Sequence, residues 1–377
     1  MNRSASHLMV MAGGTGGHVF PALAVAKEMQ EAGTQITWLG TRRGIEARVI
    51  PDNDILMEWV SVEGLRGKGL AGWLLAPIKL ARALWQSIAA IRRTQPDCIL
   101  GMGGFVAGPG GLAARLLRKP LVVHEQNAVA GLTNRYLSKI ASRVLTGFPD
   151  VSGLTQDATW VGNPVRESIY QRNTERAGIN VLIIGGSQGA HSLNEKLPAI
   201  FAKLGLGTQV LSNQDASKSH NSSVEPINVW HQTGKNRSSE VTAAYQVHNI
   251  PAKVSEFIED MGAAYQWADL LVCRAGAMTI AECCAAGLPS LLVPYPFSAG
   301  DHQLKNAEAL VNIGAAKLLL NKELDEPLAC EILGDLLADK KRLKTMGDKA
   351  HGLHKDDALQ KVVSVCNDLM LSGDQHA

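Results

Sequence analysis

An α/β protein of two tandem parallel-sheet domains is what the sequence predicts, and three observations carry that prediction. The chain has 377 residues, more than the ~250–300 at which a single hydrophobic core stops growing. Strand and helix signals alternate along most of it, the pattern of βαβ units with helices on both faces of a sheet. A doubled-glycine turn recurs after short apolar runs: Ala12-Gly-Gly-Thr-Gly-Gly-His18 follows Leu8–Met11, Gly101-Met-Gly-Gly104 follows Cys98–Leu100, and Gly185-Gly-Ser-Gln-Gly-Ala190 follows Val181–Ile184. The third turn repeats the geometry of the first, so both domains read as Rossmann-like.

In the first domain the strand Leu8–Met11 leads into a helix over Pro21–Glu31 with the proline in its first turn, where a missing N–H costs nothing. The strand Gln35–Leu39, the helix Ile88–Thr94, the strand Cys98–Leu100, the helix Gly110–Leu117 and the strand Leu121–His124 follow. A second series starts near Val181 and runs through Leu193–Leu204, Val229–Gln232, Met261–Trp267, Leu270–Cys273, Thr279–Ala286 and Ser290–Val293. Gly287 and Pro289 end the helix before them, as a left-handed cap and a residue that cannot continue it. The turn-rich Val161-Gly-Asn-Pro164 is the expected hinge, dividing domains at 1–163 and 164–355. Ser212–Pro226, rich in Ser, Asn and Asp, reads as a mobile surface loop.

Composition removes several classes of function. With 46% hydrophobic and 19% charged residues and a formal net charge of +2, the chain reads as soluble and globular, with no charge for bulk nucleic-acid binding. Its six cysteines form no Cys-x-x-Cys pair and have no histidine spacing suited to a metal, which fits a reducing cytoplasm. The start of the chain lacks the basic, apolar and cleavage regions of a signal peptide. Leu70–Ile78, the most prominent uncharged apolar stretch, is far shorter than the ~18 residues of a spanning helix.

Doubled glycines at strand ends let the backbone approach a ligand, and amides at the following helix start face negative charge, so the chain is expected to bind phosphates more than once. The dinucleotide fingerprint does not fit. Val19 stands where its third Gly or Ala would be, and the second strand ends in Gly40-Thr-Arg-Arg43 instead of an acid. Arg42 and Arg43 keep an NADP phosphate open as an option, while the absence of a Gly-Lys-Ser/Thr turn excludes Walker A. The most specific segment runs from Ala268 to Ala307, where a strand, a tight glycine turn and a helix start at Thr279 leave amides free for a diphosphate. By spacing alone, Thr279-Ile-Ala-Glu282 is a capping box.

With that segment the chain resembles the inverting glycosyltransferases with two Rossmann-like domains of GT-B type that use UDP-sugars. Among them it is most similar to the bacterial UDP-N-acetylglucosamine:lipid I N-acetylglucosaminyltransferases. The resemblance extends from Leu8 to about Leu320 through Gly13-Gly-Thr-Gly-Gly-His18, Gly64-Leu-Arg-Gly-Lys-Gly69, Gly101-Met-Gly-Gly104, His124-Glu-Gln-Asn127, Gly162-Asn-Pro-Val-Arg166, Gly185-Gly-Ser-Gln-Gly-Ala190 and the 268–307 segment. It implies a ligand cleft between the domains and a C-terminal helix, about 356–377, that crosses back to the first. It also implies a peripheral protein on the cytoplasmic face of the bacterial inner membrane.

The resemblance further implies that Glu282 grips the ribose of UDP, that the backbone near Ile258 meets uracil, and that Ser187 and Arg166 serve the phosphates or the sugar. Gln303 and Asn127 would contact N-acetylglucosamine, and Thr15, Gly16, Gly17, Ala277, Met278, Thr279, Ile280 and Ala281 would complete the donor site. Gly14, Gly103, Gly104, Phe105, His124 and Asn134 would face the undecaprenyl-diphosphate-linked acceptor, lipid I. Phe105 departs from the family, where Tyr is common. The implied reaction is an inverting displacement by the acceptor's 4-hydroxyl, which needs a base and positive potential on the departing diphosphate. His18 and Glu125 are the candidate bases, and at the start of a helix the positive dipole end disfavours a charged imidazole. Helix amides and Arg166 can meet the diphosphate, and no Asp-x-Asp pair is placed for a metal, so no cofactor is expected.

A lipid acceptor calls for contact with an anionic leaflet, and Trp73–Arg93 offers a candidate. At helical spacing Leu74, Ile78, Ala81, Trp85 and Ile88 form the apolar, packed face, with Lys79, Arg82, Gln86, Arg93 and Leu75 on another. Trp73, Leu75, Lys79 and Arg82 would reach the headgroup layer. Two competing functions share the features of the second domain: a UDP-N-acetylglucosamine 2-epimerase without a lipid acceptor, and a noncatalytic UDP-sugar-binding scaffold that tolerates loss of His18 and Glu125.

Overall fold

The computed structural model describes residues 6–62, 75–155, 157–169, 178–206, 226–325 and 327–373. The Gly64–Gly69 motif, Trp73, Leu74 and all of the Ser212–Pro226 segment except Pro226 lie outside the described residues. The chain divides into two compact units, 1–165 with 355–377 and 166–354.

In the first unit, strands β1 (His7–Ala12), β2 (Gln35–Gly40), β3 (Leu56–Trp59), β4 (Cys98–Gly103), β5 (Leu121–Glu125), β6 (Arg143–Thr146) and β7 (Thr159–Trp160) form one sheet. Their order is β3-β2-β1-β4-β5-β6-β7, and every ladder is parallel. The central strand shows why both faces are covered. Leu8, Val10 and Ala12 enter one core with Val19, Ala22, Ala26 and Met29 of the helix Gly16–Glu31. Met9 and Met11 point the other way, against Ala83, Ala90 and Ile91 of the helix Ala76–Thr94 and Ala113 of the helix Ala107–Leu116. A strand apolar at every position is the signature of a parallel sheet buried on both sides.

The helix Ala358–Gly373 also belongs to this unit. Its Val362, Cys366 and Met370, four residues apart on one helix face, close the core formed with Leu8 and Val25. Gly162, at φ +89°, admits this chain: a Cβ there would lie 2.7 Å from that of Lys355.

In the second unit, β8 (Ile179–Ile184), β9 (Ile227–Gln232), β10 (Ala252–Ser255), β11 (Leu270–Cys273), β12 (Ser290–Leu292) and β13 (Ala316–Leu318) form a parallel sheet in the order β10-β9-β8-β11-β12-β13. Val181, Ile183, Val229, Leu270 and Val272 of the sheet pack with Leu193, Leu197 and Phe201 of the helix Gly186–Lys203.

The strand order reverses between β1 and β4 in one sheet and between β8 and β11 in the other. Ligands of open parallel sheets bind outside the carboxyl ends of the strands at that reversal. The glycine turns after Ala12, Met102, Ile184 and Arg274 lie at the ends of these four strands. Sequence order and sheet order thus bring two glycine turns together at each reversal.

Candidate functional site

The helix after β1 starts at Gly16, five residues before its expected start, with Thr15 as an extended N-cap whose side chain makes no cap bond. His18 and Val19 donate their amides to the Thr15 carbonyl, and the amides of Gly16 and Gly17 stand in the unpaired first turn of a helix. Gly14 is different. Its N–H donates to Glu46 Oε2 at 3.0 Å, so the expected acceptor contact at Gly14 cannot use that amide. The other Glu46 oxygen accepts from the Thr41 amide at 3.0 Å and from the Thr41 hydroxyl at 2.7 Å, and the residue is fully buried. Glu46 thus ties the first glycine turn to the end of β2 from inside the unit.

The second turn closes on the first. Gly103 and Gly104 hold φ of +104° and +85°, a region that side chains rarely adopt. A Cβ on Gly103 would lie 2.8 Å from His18 Nδ1, and one on Gly104 would run into the Gly13 carbonyl. These glycines let the two turns meet and set His18 against the second. Phe105 beside them is 58% exposed.

The end of β5 and the residues after it sort the four polar residues His124–Asn127 by depth. Glu125 is buried and fully engaged: Oε1 accepts from the Asn127 amide and from Asn127 Nδ2, each at 3.0 Å, while Oε2 accepts from the Gly131 amide at 3.0 Å and from Asn134 Nδ2 at 2.9 Å. It ties a loop together. His124 and Asn134, expected as acceptor contacts, are both buried; His124 bonds the Gly162 carbonyl through Nε2 at 2.9 Å, and Asn134 Nδ2 also donates to the His124 carbonyl. Both side chains are enclosed by protein and engaged with partners of their own unit. Burial pushes the His124 imidazole down, against the pull of the Gly162 carbonyl. Gln126, which sequence reasoning passed over, joins His18 to His124: Oε1 lies 3.0 Å from His18 Nδ1, and Nε2 lies 3.1 Å from both Nδ1 and the carbonyl oxygen of His124.

In the second unit the helix after β11 begins at Ala277 with Gly276 as its N-cap, two residues before its expected start. Thr279 is inside the first turn, and no side chain caps this helix. The capping-box reading of Glu282 is therefore set aside, since its Oε2 accepts from the Tyr265 hydroxyl at 2.8 Å. Burial pushes the Glu282 carboxyl up, while the Tyr265 hydrogen bond and the charge of Arg166 pull it down. The Ile280 side chain is in the core, and its amide donates to the Gly276 carbonyl. Ala277 is buried, and the half-buried Met278, Thr279 and Ala281 border the unpaired amides of the first turn.

Gln303 Oε1 accepts the Tyr295 amide at 2.8 Å, and Ile258 is half-buried in the loop after β10. Ser187 falls in the first turn of the helix Gly186–Lys203, with its side chain outside the described set. Arg274, unremarked in the sequence, is a buried guanidinium at the end of β11. It donates to the Val293 carbonyl at 3.0 Å, Asn321 Oδ1 at 2.9 Å and Ser192 Oγ at 2.6 Å, and burial lowers its pKa to about 10. It braces the turn from which the helix Ala277–Ala286 starts.

The helix Ala76–Thr94 buries a different set of residues from the apolar face that sequence spacing suggested. Ala76, Ala83, Ser87, Ala90 and Ile91 are buried, whereas Ile78 and Trp85, assigned to the packed face, are 68% and 69% exposed. Small residues win the interior because they let this helix lie close to the helix Ala107–Leu116, and the large apolar side chains are left outside. Leu75, Lys79 and Arg82 are exposed as well. Among the described residues no helix is long and apolar enough to cross a membrane.

Known proteins share this architecture and sequence. The glycosyltransferase family 28 N-terminal domain matches residues 8–146 and its C-terminal domain matches residues 180–362. A UDP-N-acetylglucosamine–N-acetylmuramyl-(pentapeptide) pyrophosphoryl-undecaprenol N-acetylglucosamine transferase of Methylococcus capsulatus is 47% identical over 96% of this chain and 98% of its own. A protein of the same name from Nitrosococcus oceani is 46% identical over 96% and 98%. The crystal structure of Acinetobacter baumannii MurG superposes with a TM-score of 0.80 at 36% identity, covering 96% of this chain and 99% of that one. With both domain matches in order and relatives this similar over nearly their full length, the chain belongs to glycosyltransferase family 28.

Proposed function

We propose that this chain transfers N-acetylglucosamine from UDP-N-acetylglucosamine to the 4-hydroxyl of the N-acetylmuramoyl-pentapeptide of undecaprenyl-diphosphate-linked lipid I, with inversion, giving lipid II. The observation that carries the reading is the 46–47% identity, over nearly the whole chain, to transferases named for that reaction. The geometry suits it.

On this reading UDP binds the second unit. Glu282 accepts the ribose hydroxyls, and the unpaired amides at the start of the helices Gly186–Lys203 and Ala277–Ala286 face the diphosphate, with Arg166 adding charge. These donors answer the negative charge that develops on the leaving group without a metal. Ile258, Ser187 and Gln303 complete the donor side as the family resemblance assigns them, and the acceptor's diphosphate belongs at the glycine turns of the first unit. The acceptor's 4-hydroxyl attacks the anomeric carbon, the bond from that carbon to UDP breaks, and the hydroxyl proton passes to His18. Of the two candidate bases, His18 is favoured, because all four of the described bonds to Glu125 come from its own loop.

Contact with the anionic leaflet falls to the helix Ala76–Thr94, where exposed Leu75, Ile78 and Trp85 accompany Lys79 and Arg82. Trp85 and Ile78 replace the packed residues that sequence spacing suggested. With lipid I as acceptor, such a contact suits a peripheral protein on the cytoplasmic face of the membrane.

Mixing UDP-N-acetylglucosamine with a short-chain lipid I analogue tests the function. The expected product is the disaccharide with one UDP released per bond, and it persists with excess chelator. Conversion of UDP-N-acetylglucosamine to its 2-epimer, or binding without turnover, would replace this reading with one of its competitors. His18→Ala is expected to lower turnover by ~10²–10⁴-fold, the usual worth of a general base, while UDP binding survives.

A further inference from the structure

A neutral imidazole offers a lone pair on one nitrogen only, and the nitrogen's identity is set by the partner of the other. The polar groups around His18 decide this without ambiguity. The His124 carbonyl oxygen can only accept, so the Gln126 amide atom 3.1 Å from it is the nitrogen. The Gly162 carbonyl also can only accept, so His124 carries its hydrogen on Nε2 and donates it there at 2.9 Å, which leaves His124 Nδ1 as an acceptor 3.1 Å from the same Gln126 nitrogen, with Met102 Sδ 3.8 Å from it. The amide oxygen of Gln126 then faces His18 Nδ1 at 3.0 Å, and an amide oxygen accepts. His18 Nδ1 must bear the hydrogen.

We propose that Gln126 is a positioning residue for the transfer: anchored on His124 and the Gly162 carbonyl, it holds neutral His18 as the Nδ1–H tautomer and leaves the Nε2 lone pair for the attacking hydroxyl. Rotating the Gln126 amide by half a turn would put oxygen against the His124 carbonyl and nitrogen against a ring nitrogen that must then accept. Both Gln126 and His124 are buried, so water does not compete for these groups. Gln126 is held from behind as well, because Asn163 Nδ2 donates to its main-chain carbonyl at 3.0 Å. Residues 162 and 163 thus grip this short relay at two points. Nδ1–H is the tautomer that free histidine disfavours, so the relay supplies what the side chain would not adopt alone.

The proposal rests on the reading of His18 as base, and the two are tested separately. Turnover of His18→Ala tests the base. Nitrogen-15 NMR of the histidine-labelled full chain, with His18 assigned by its loss in His18→Asn, tests Gln126. At a pH where His18 is neutral its Nδ1 is expected to carry the proton and Nε2 to show the shift of an unprotonated nitrogen. Gln126→Met, similar in size but unable to accept, is expected to move His18 toward the Nε2–H form and lower kcat by about ten- to a hundredfold, with KM for UDP-N-acetylglucosamine unchanged. Gln126→Glu keeps an acceptor opposite Nδ1 and is expected to shift the acid limb of the kcat profile to higher pH. An Nε2–H tautomer in the wild-type chain overturns the proposal even if neither variant folds. Unchanged tautomer and kcat in folded Gln126→Met overturn it too.

Discussion

The Tyr265 hydroxyl donates to Glu282 Oε2 at 2.8 Å, from the helix Met261–Trp267 to the helix Ala277–Ala286. Tyr265 is fully buried, so its hydroxyl has no water to turn to, and burial together with the Glu282 charge pushes its pKa far up. The phenol therefore stays a donor at any working pH. One lone pair of Glu282 is spent on holding the side chain in place, and the rest of the carboxylate remains to accept.

Tyr265→Phe should keep the fold and weaken UDP. Loss of one hydrogen bond to a charged group is worth about 1.5–3 kcal/mol at most, and part of that returns through the retained ring, so a five- to fiftyfold rise in Kd by calorimetry is expected. Because the hydrogen bond pulls the Glu282 pKa down, its loss also raises that pKa further. A ribose acceptor must be ionised, so UDP affinity should fall as pH drops through the raised Glu282 pKa, at a higher pH than for an ordinary glutamate, and Glu282→Gln should abolish that dependence. Wild-type UDP affinity in both Tyr265→Phe and Glu282→Gln would return Glu282 to a structural part.

Glu125→Gln should cost stability more than chemistry. A glutamine has one acceptor oxygen, so two of the four donors now satisfied by the carboxylate would face an NH₂ group, at about 2–4 kcal/mol for a buried site. Thermal unfolding should show the loss, with kcat reduced less than in His18→Ala. A kcat loss equal to that of His18→Ala, with stability intact, would make Glu125 the base.

The turns that flank each sheet reversal were legible in the sequence because doubled glycine after an apolar run has few other uses. Gln126 and Glu46 were not, since each acts on a residue far away in the chain: Gln126 reaches His18, and Glu46 reaches Gly14 from beyond β2. Periodicity also misjudged the helix Ala76–Thr94. It ranks side chains by hydrophobicity, whereas close helix contact selected Ala83, Ser87 and Ala90 and left Trp85 outside. Depth was invisible for His124, whose neighbours in sequence include one half-buried and several enclosed residues.

Stability should decline on mild acidification, and His231 should account for a measurable share. Asn194 Nδ2 donates to the Thr233 carbonyl, so its Oδ1 accepts from His231 Nε2 at 3.0 Å, and His231 Nδ1 accepts from the Tyr245 hydroxyl at 3.0 Å. Protonation would remove that acceptor in a buried site, and desolvation lowers the His231 pKa to about 3. The unfolded chain binds the proton near pH 6.5 and the folded chain does not until about pH 3, so stability falls as pH drops through that window. By pH 4.5 the loss from this group is roughly 2–3 kcal/mol. His7 and His124, also lowered by burial, add the same sign. Denaturant midpoints between pH 7.5 and 4.5 should show a shallower decline for His231→Gln than for the wild type, whatever its starting stability. An identical slope would mean that His231 takes no part.

Replacement of Ile78 and Trp85 by serine should separate membrane binding from folding. Both side chains lie on the outer side of the helix Ala76–Thr94, whose packing rests on Ala83, Ala90 and Ile91, so the double variant should unfold at the wild-type temperature. Removing two large apolar side chains from an interfacial helix forfeits most of its insertion energy, whereas Lys79 and Arg82 supply about 1 kcal/mol each of attraction to an anionic surface. Sedimentation with vesicles containing anionic lipid should therefore fall at least tenfold, and high salt should abolish what remains. Turnover of a water-soluble acceptor should stay near the wild-type rate while turnover of vesicle-borne lipid I drops. If the variant still sediments as the wild type does, the exposed face of this helix is not the membrane contact.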